Sequence, residues 1–228
     1  MPTDKGRLSR IARLAIVFAA LLVCNQPIAR CQSLTSGSER RPSFSNDDYA
    51  KVNVFGVEGS GNKFVYVFDR SASMVGPPLA AAKRELLKSI EMLGDVHQFH
   101  IIFFNQRMQS FDITGGSQRI SFATDRNKRL AARFVDGVKA DGGSARFAAL
   151  KQALAFRPDV VFFLSDADGP MSESEVADIL RLNERIGAAI CVIEFGSGDT
   201  APKRNFLTEL ANENGGQYGY VNAAKLPN

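Results

Sequence analysis

Three short polar stretches carry the residues best able to do chemistry. In FVYVFDRSASMVG (64–76) an apolar run stops at Asp69, and hydroxyls follow at Ser71 and Ser73. In VVFFLSDADG (160–169) a second apolar run ends near Asp166. Between them, ADGGSAR (140–146) puts Ser144 in a glycine-containing turn. Carboxylates and hydroxyls are hard oxygen donors, which suit Mg²⁺, Mn²⁺ or Ca²⁺ and not soft metals. If the chain after Asp69 stays extended, residues 69, 71 and 73 face one way. Ser144 adds a hydroxyl, and Asp166 adds the second carboxylate needed to balance a divalent charge. Two other chemistries fit an aspartate at a strand end. One is a phosphorylated aspartate nucleophile. The other is a structural turn with a helix cap.

Such oxygens converge only if the right elements carry them. Strands are predicted at about 51–56, 63–68, 98–104, 107–111, 119–122, 160–164, 188–194 and 217–221, and helices at about 78–93, 125–138, 145–155, 173–185 and 204–214. FVYVF, FHIIFF, VVFFL and AAICVIEF are continuous apolar runs, which suit strands covered on both faces of a parallel sheet. Strand and helix alternate along most of the chain. The expected fold is a three-layer, doubly wound α/β domain with a mainly parallel, Rossmann-like central sheet and an antiparallel strand at one edge. In such sheets ligands bind outside the carboxyl ends of the strands. Two of the polar stretches follow strands and the third precedes a helix, so all three could meet at one such edge.

With order, spacing and strand context combined, the chain resembles the von Willebrand factor type A (VWA) domain and its metal-ion-dependent adhesion site. The resemblance covers about residues 51–223 and is nearest to exported bacterial single-domain members. Asp69, Ser71 and Ser73 match the Asp-x-Ser-x-Ser element. Ser144 stands at a Thr position, and Asp166 matches the last aspartate. The resemblance implies a Mg²⁺ site (or Mn²⁺/Ca²⁺) on these five residues and a protein partner that supplies a carboxylate. It implies adhesion or assembly and no catalysis. Ala72 and Ala167 replace common glycines, and Ser144 lacks the methyl that restricts a Thr rotamer. Arg70 and Arg146 flank the ligand positions. Pointing outward, they would meet an acidic partner; pointing inward, they would compete with the metal. The alternatives are a metal-free assembly domain and a haloacid-dehalogenase-type phosphohydrolase. The latter wants a second carboxylate two residues after the nucleophile, where this chain has Ser71.

Other features read as structural. His97 and His100 flank a strand with no third ligand nearby. GVEGSGNK (56–63) is no phosphate loop, because a strand and not a helix follows it; it reads as a turn between two strands. Asp141 and Asp168 read as turn residues. Cys24, Cys31 and Cys191 make no disulfide framework, and Cys191 reads as a small core residue.

Composition narrows the setting. The 228 residues are 45% hydrophobic, enough for one core. The net charge of +4 is unevenly spread: residues 1–41 hold seven Lys/Arg and two Asp/Glu, whereas the remainder holds 21 basic and 22 acidic residues. A nearly neutral domain argues against a nucleic-acid partner. The N-terminus places Lys5, Arg7, Arg10 and Arg13 before the 11 apolar residues LAIVFAALLVC. That is a signal-peptide pattern, and too short to span a bilayer, which takes about 20 residues. The expected organisation is a signal peptide or anchor at 1–31, a polar linker at 32–50, the domain at 51–223 and a tail at 224–228. The expected location is periplasmic or secreted.

Overall fold

A computed structural model describes residues 49–113 and 119–227. The expected signal peptide, and nearly all of the expected linker, lie outside the described residues. Nine strands and five α-helices follow in the order β1 (Ala50–Val54), β2 (Val57–Gly61), β3 (Lys63–Asp69), α1 (Pro77–Glu91), β4 (Gln98–Phe104), β5 (Met108–Ser110), β6 (Ser121–Phe122), α2 (Asp125–Asp136), α3 (Arg146–Ala155), β7 (Val160–Asp166), α4 (Glu173–Glu184), β8 (Ala189–Gly196), α5 (Phe206–Glu213) and β9 (Tyr218–Asn222) among the described residues. The main sheet runs β5-β4-β3-β7-β8-β9, with β6 also on β4. β3, β4, β7, β8 and β9 are parallel, while β5 and β6 pair antiparallel with β4. This is the expected doubly wound sheet with an antiparallel edge.

The continuous apolar runs are explained by burial on both faces. On one face Phe64, Tyr66, Phe68, Phe103 and Phe162 pack under α1 and α2. On the other, Val65, Val67, Ile102, Phe163 and Val192 pack under α3, α4 and α5. Adjacent residues of one strand thus serve opposite cores, as the period of two requires. Stacked rings such as Tyr66 on Phe162, at 5.5 Å and 11°, tie neighbouring strands together. Cys191 is buried in the first core, as expected.

The segment expected to be a turn, 56–63, is instead mostly β2. It forms a separate antiparallel hairpin with β1, turning at Phe55 and Gly56. Both turn residues have positive φ, 50° and 82°, the signature of a tight two-residue turn matched to strand twist. The hairpin lies against the sheet, and glycine permits the approach. A Cβ on Gly59 would stand 2.7 Å from Val160 Cγ1 and 2.9 Å from Phe162 Cζ.

Candidate functional site

Parallel register delivers the site. β3 and β7 are neighbours, with Phe68 opposite Leu164, so their polar ends emerge side by side. On the other side of β3, Asn105 follows the last residue of β4. The loop after Asp69 does not stay extended, as expected from alternation; residues Ala72–Met74 coil into a 3₁₀ turn. The 140–145 loop is stitched to it through the backbone. Asp141 N–H donates to Arg70 O at 2.9 Å, and Ala72 N–H donates to Gly142 O at 2.9 Å. Gly142 holds φ +70°, a conformation that favours glycine. Ala145 N–H reaches Asn105 O at 2.8 Å. Three loops are thereby fixed relative to one another before any side chain is counted.

All five expected oxygen donors meet. Asp69, fully buried, accepts from Ser71 N–H at 2.7 Å on one carboxylate oxygen. Its other oxygen accepts from the hydroxyls of Ser144 and Ser165, each at 2.9 Å. Ser71 and Ser73 hydroxyls are 2.9 Å apart, and Ser73 donates to Asp166 Oδ2. Burial pushes the Asp69 carboxyl above its usual range; the hydrogen bonds from Ser71 oppose this, and the nearby Asp166 charge adds to it. Ala72 and Ala167, the two departures from glycine, are both exposed, so their methyls crowd nothing in the core.

The two arginines do not take the partner-facing role expected of them. Arg146 is only 5% exposed and turns into the site. Its Nε donates to Ser165 Oγ at 2.8 Å and its NH1 to Gly169 O at 2.6 Å. Its NH2 donates to Asp166 O at 3.1 Å and to Asp166 Oδ1 at 2.5 Å, and lies 3.8 Å from Asp69 Oδ2. Arg70 reaches across to the loops before α3 and after β4. It pairs with Asp141 at 2.5 Å and also donates to Lys139 O and Asn105 Oδ1. A guanidinium side chain has no acceptor and cannot lose its proton in a protein. As they stand, the residues therefore do not fit a divalent cation: the positive charge between the two carboxylates is already supplied.

Three further residues escaped the sequence reading. Ser165 links Asp69 to Arg146, and Asn105 donates to both Asp141 O and Asp141 Oδ1 at 2.7 Å. Glu194, near the end of β8, is 2% exposed and accepts from Asn205 Nδ2 and Tyr218 O–H, each at 2.7 Å. The signal common to all three is a polar residue at or near the end of an apolar strand. Beside the cage opens a cleft of about 560 Å³, lined in part by Ser73, Met74, Asp166, Asp168, Glu194 and Tyr220. His97 and His100 are not part of it. His100 is buried against Phe156, ring centroids 4.1 Å apart. No group of three or more His, Cys, Asp or Glu placed to hold a metal occurs among the described residues.

Solved structures share this architecture. A von Willebrand factor type A protein from Catenulispora acidiphila superposes with a TM-score of 0.61 at 19% identity, over 78% of this chain and 47% of that one. BatB from Bacteroides thetaiotaomicron gives 0.55 at 16% identity, over 71% and 90%. The human COPII-coat protein Sec24c gives 0.50 at 8% identity, over 78% and 30%. The chain thus spans about half the length of the Catenulispora protein. No family model and no curated protein matches it. The described domain has the VWA-type fold.

Proposed function

We propose that the protein is a non-enzymatic, exported interaction module that engages a protein partner through the loop-bearing edge of its sheet. The observation that carries this reading is how the polar strand ends are used. Asp69, Ser71, Ser73, Ser144, Ser165 and Asp166 spend their hydrogen bonds bracing three loops around an open cleft. None is held as a nucleophile beside a free base. Asp69, the one candidate for aspartyl phosphorylation, is fully buried with both oxygens engaged, which counts against a phosphohydrolase. The nearly neutral domain and the N-terminal charge pattern support a protein partner met outside the cytoplasm.

Site-specific photo-crosslinking in the native host tests this. A crosslinker at Ser197, which lines the cleft, is expected to trap one defined partner. The same crosslinker at Asp95, just before β4 and so at the opposite edge, is expected to trap none. Equal labelling at both positions would refute the edge as the binding face. Hydrolysis of p-nitrophenyl phosphate that vanishes in Asp69→Asn would refute the non-enzymatic reading.

A second reading follows from the resemblance: Mg²⁺ among the five oxygens, with a partner carboxylate completing its shell. Convergence of Asp69, Ser71, Ser73, Ser144 and Asp166 favours it. It requires Arg146 to leave the site, and it predicts that EDTA releases the partner.

A further inference from the structure

We infer that Arg146 acts in this site as a tethered cation, taking the place of a divalent metal and holding the loops together at any metal concentration. This concerns the cage itself, and a partner that docked elsewhere would leave it standing.

The position of Arg146 is the first argument. It is the opening residue of α3, a helix whose preceding residue, Ala145, offers no side-chain cap. The positive end of the helix dipole disfavours a cation there. A solvated arginine would turn away; this one turns in and is 5% exposed. A local attraction must exceed the dipole penalty, and the short pair with Asp166 Oδ1 is that attraction.

Donor accounting is the second argument. The guanidinium makes hydrogen bonds to Ser165 Oγ, Gly169 O, Asp166 O and Asp166 Oδ1, which tie the start of α3 to the end of β7, while its NH2 also pairs with Asp69 Oδ2 at 3.8 Å and Ser165 Oγ carries the link on to that carboxylate. Bidentate or forked recognition of this kind is what arginine provides and lysine does not. The serine protons agree with it. Ser73 donates to Asp166, while Ser144 and Ser165 donate to Asp69. Three site hydroxyls thus bond to the carboxylates and Ser71 Oγ pairs with Ser73 Oγ, a network that closes on the protein's own groups. Arg70, the other nearby cation, cannot substitute, because it is committed to Asp141.

Mn²⁺ is the probe, followed by paramagnetic resonance of the free ion, calorimetry and thermal unfolding of the full chain. The wild type is expected to take up no Mn²⁺, and its Tm to be the same in EDTA and in Mn²⁺. Arg146→Gln removes the charge while keeping hydrogen-bonding capacity. It is expected to lower Tm in EDTA and to gain Mn²⁺ binding, with Tm rising by about 5 °C or more once Mn²⁺ is about 100-fold above its Kd. Arg146→Lys, which keeps the charge, is expected to stay blind to Mn²⁺. If the Gln variant unfolds in EDTA, refolding on Mn²⁺ addition supports the inference. Mn²⁺ uptake by the wild type that is lost in Asp69→Asn overturns it. So does a Gln variant that neither binds Mn²⁺ nor is restored by it.

Discussion

Asp166 holds two partners at once: Arg146 on one carboxylate oxygen and Ser73 on the other. Removing that carboxylate leaves the buried guanidinium only the longer pair with Asp69 Oδ2 at 3.8 Å, and breaking one half of a buried pair costs about 3–5 kcal/mol. Asp166→Ala is therefore expected to lower the unfolding free energy by about 3–5 kcal/mol in urea titrations. Asp166→Asn is expected to lose less, because its amide oxygen still accepts from Arg146. A loss under about 1 kcal/mol in the Ala variant would mean the pair contributes no more than an exposed one. At this scale the sequence revealed which oxygens meet, because strand ends and turn glycines constrain them strongly. The direction of Arg146 was harder to read, since a long side chain at a helix start can face either way. The one available clue was electrostatic: a cation at the wrong end of a helix dipole needs a carboxylate nearby.

Strands and helices were legible wherever an apolar run was continuous or helical in period, and the starts of β3 and β4 fall where expected. β2 was not, for a physical reason. Its inward positions are Val57, Gly59 and Gly61, so the alternation that marks a half-buried strand is carried by residues with almost no side chain. Gly59 is small because β2 lies on β7. Gly59→Val is expected to push the hairpin off the sheet and destabilise by about 1–3 kcal/mol, the usual range for overpacking. Loss of hydrogen-exchange protection confined to β1 and β2 would locate the damage. A variant as stable as the wild type would show that the hairpin yields freely.

His100, within β4, gives the element a pH dependence. It is fully buried, with the Phe156 ring tilted against it and the Asp112 charge and the Arg119 backbone nearby. Burial drives its pKa down from 6.5 to about 4, against the opposing pull of the Arg119 backbone and the Asp112 charge. Between these values the unfolded chain binds more protons than the folded one, so stability rises with pH across that window. Going from pH 7 to pH 4.5, His100 is expected to remove about 2.5 kcal/mol of stability. Asp69, whose carboxyl is raised, works in the opposite sense, so the comparison must isolate one group. Urea unfolding of wild type and His100→Phe at both pH values does so. Identical pH slopes in the two proteins would exclude His100 as the source.

The whole molecule separates its two sheet edges. At the carboxyl edge the loops are cross-braced by Arg146 and Arg70, and the cleft lies open beside them with Asp168 exposed at its rim. The amino edge carries tight connections such as Gly94 to His97, whose backbones and side chains bond within the turn. Among the described residues no helix is long and apolar enough to cross a membrane. A rigid edge has a consequence for binding: a partner docking there meets loops already ordered, and the ordering cost of association is small. Charge changes on exposed rim residues should then alter recognition without altering the fold. Asp168→Lys is expected to change partner affinity at least about tenfold, about 1.4 kcal/mol, in the direction of tighter binding for a partner that offers a carboxylate. Its Tm is expected to stay within about 2 °C of wild type, as for surface substitutions generally. Asp95→Lys, an equal charge change at the amino edge, is expected to leave both quantities unchanged. Affinity by surface plasmon resonance against the crosslinked partner decides the matter, and an equal change in the two variants would point to net charge and not to the cleft.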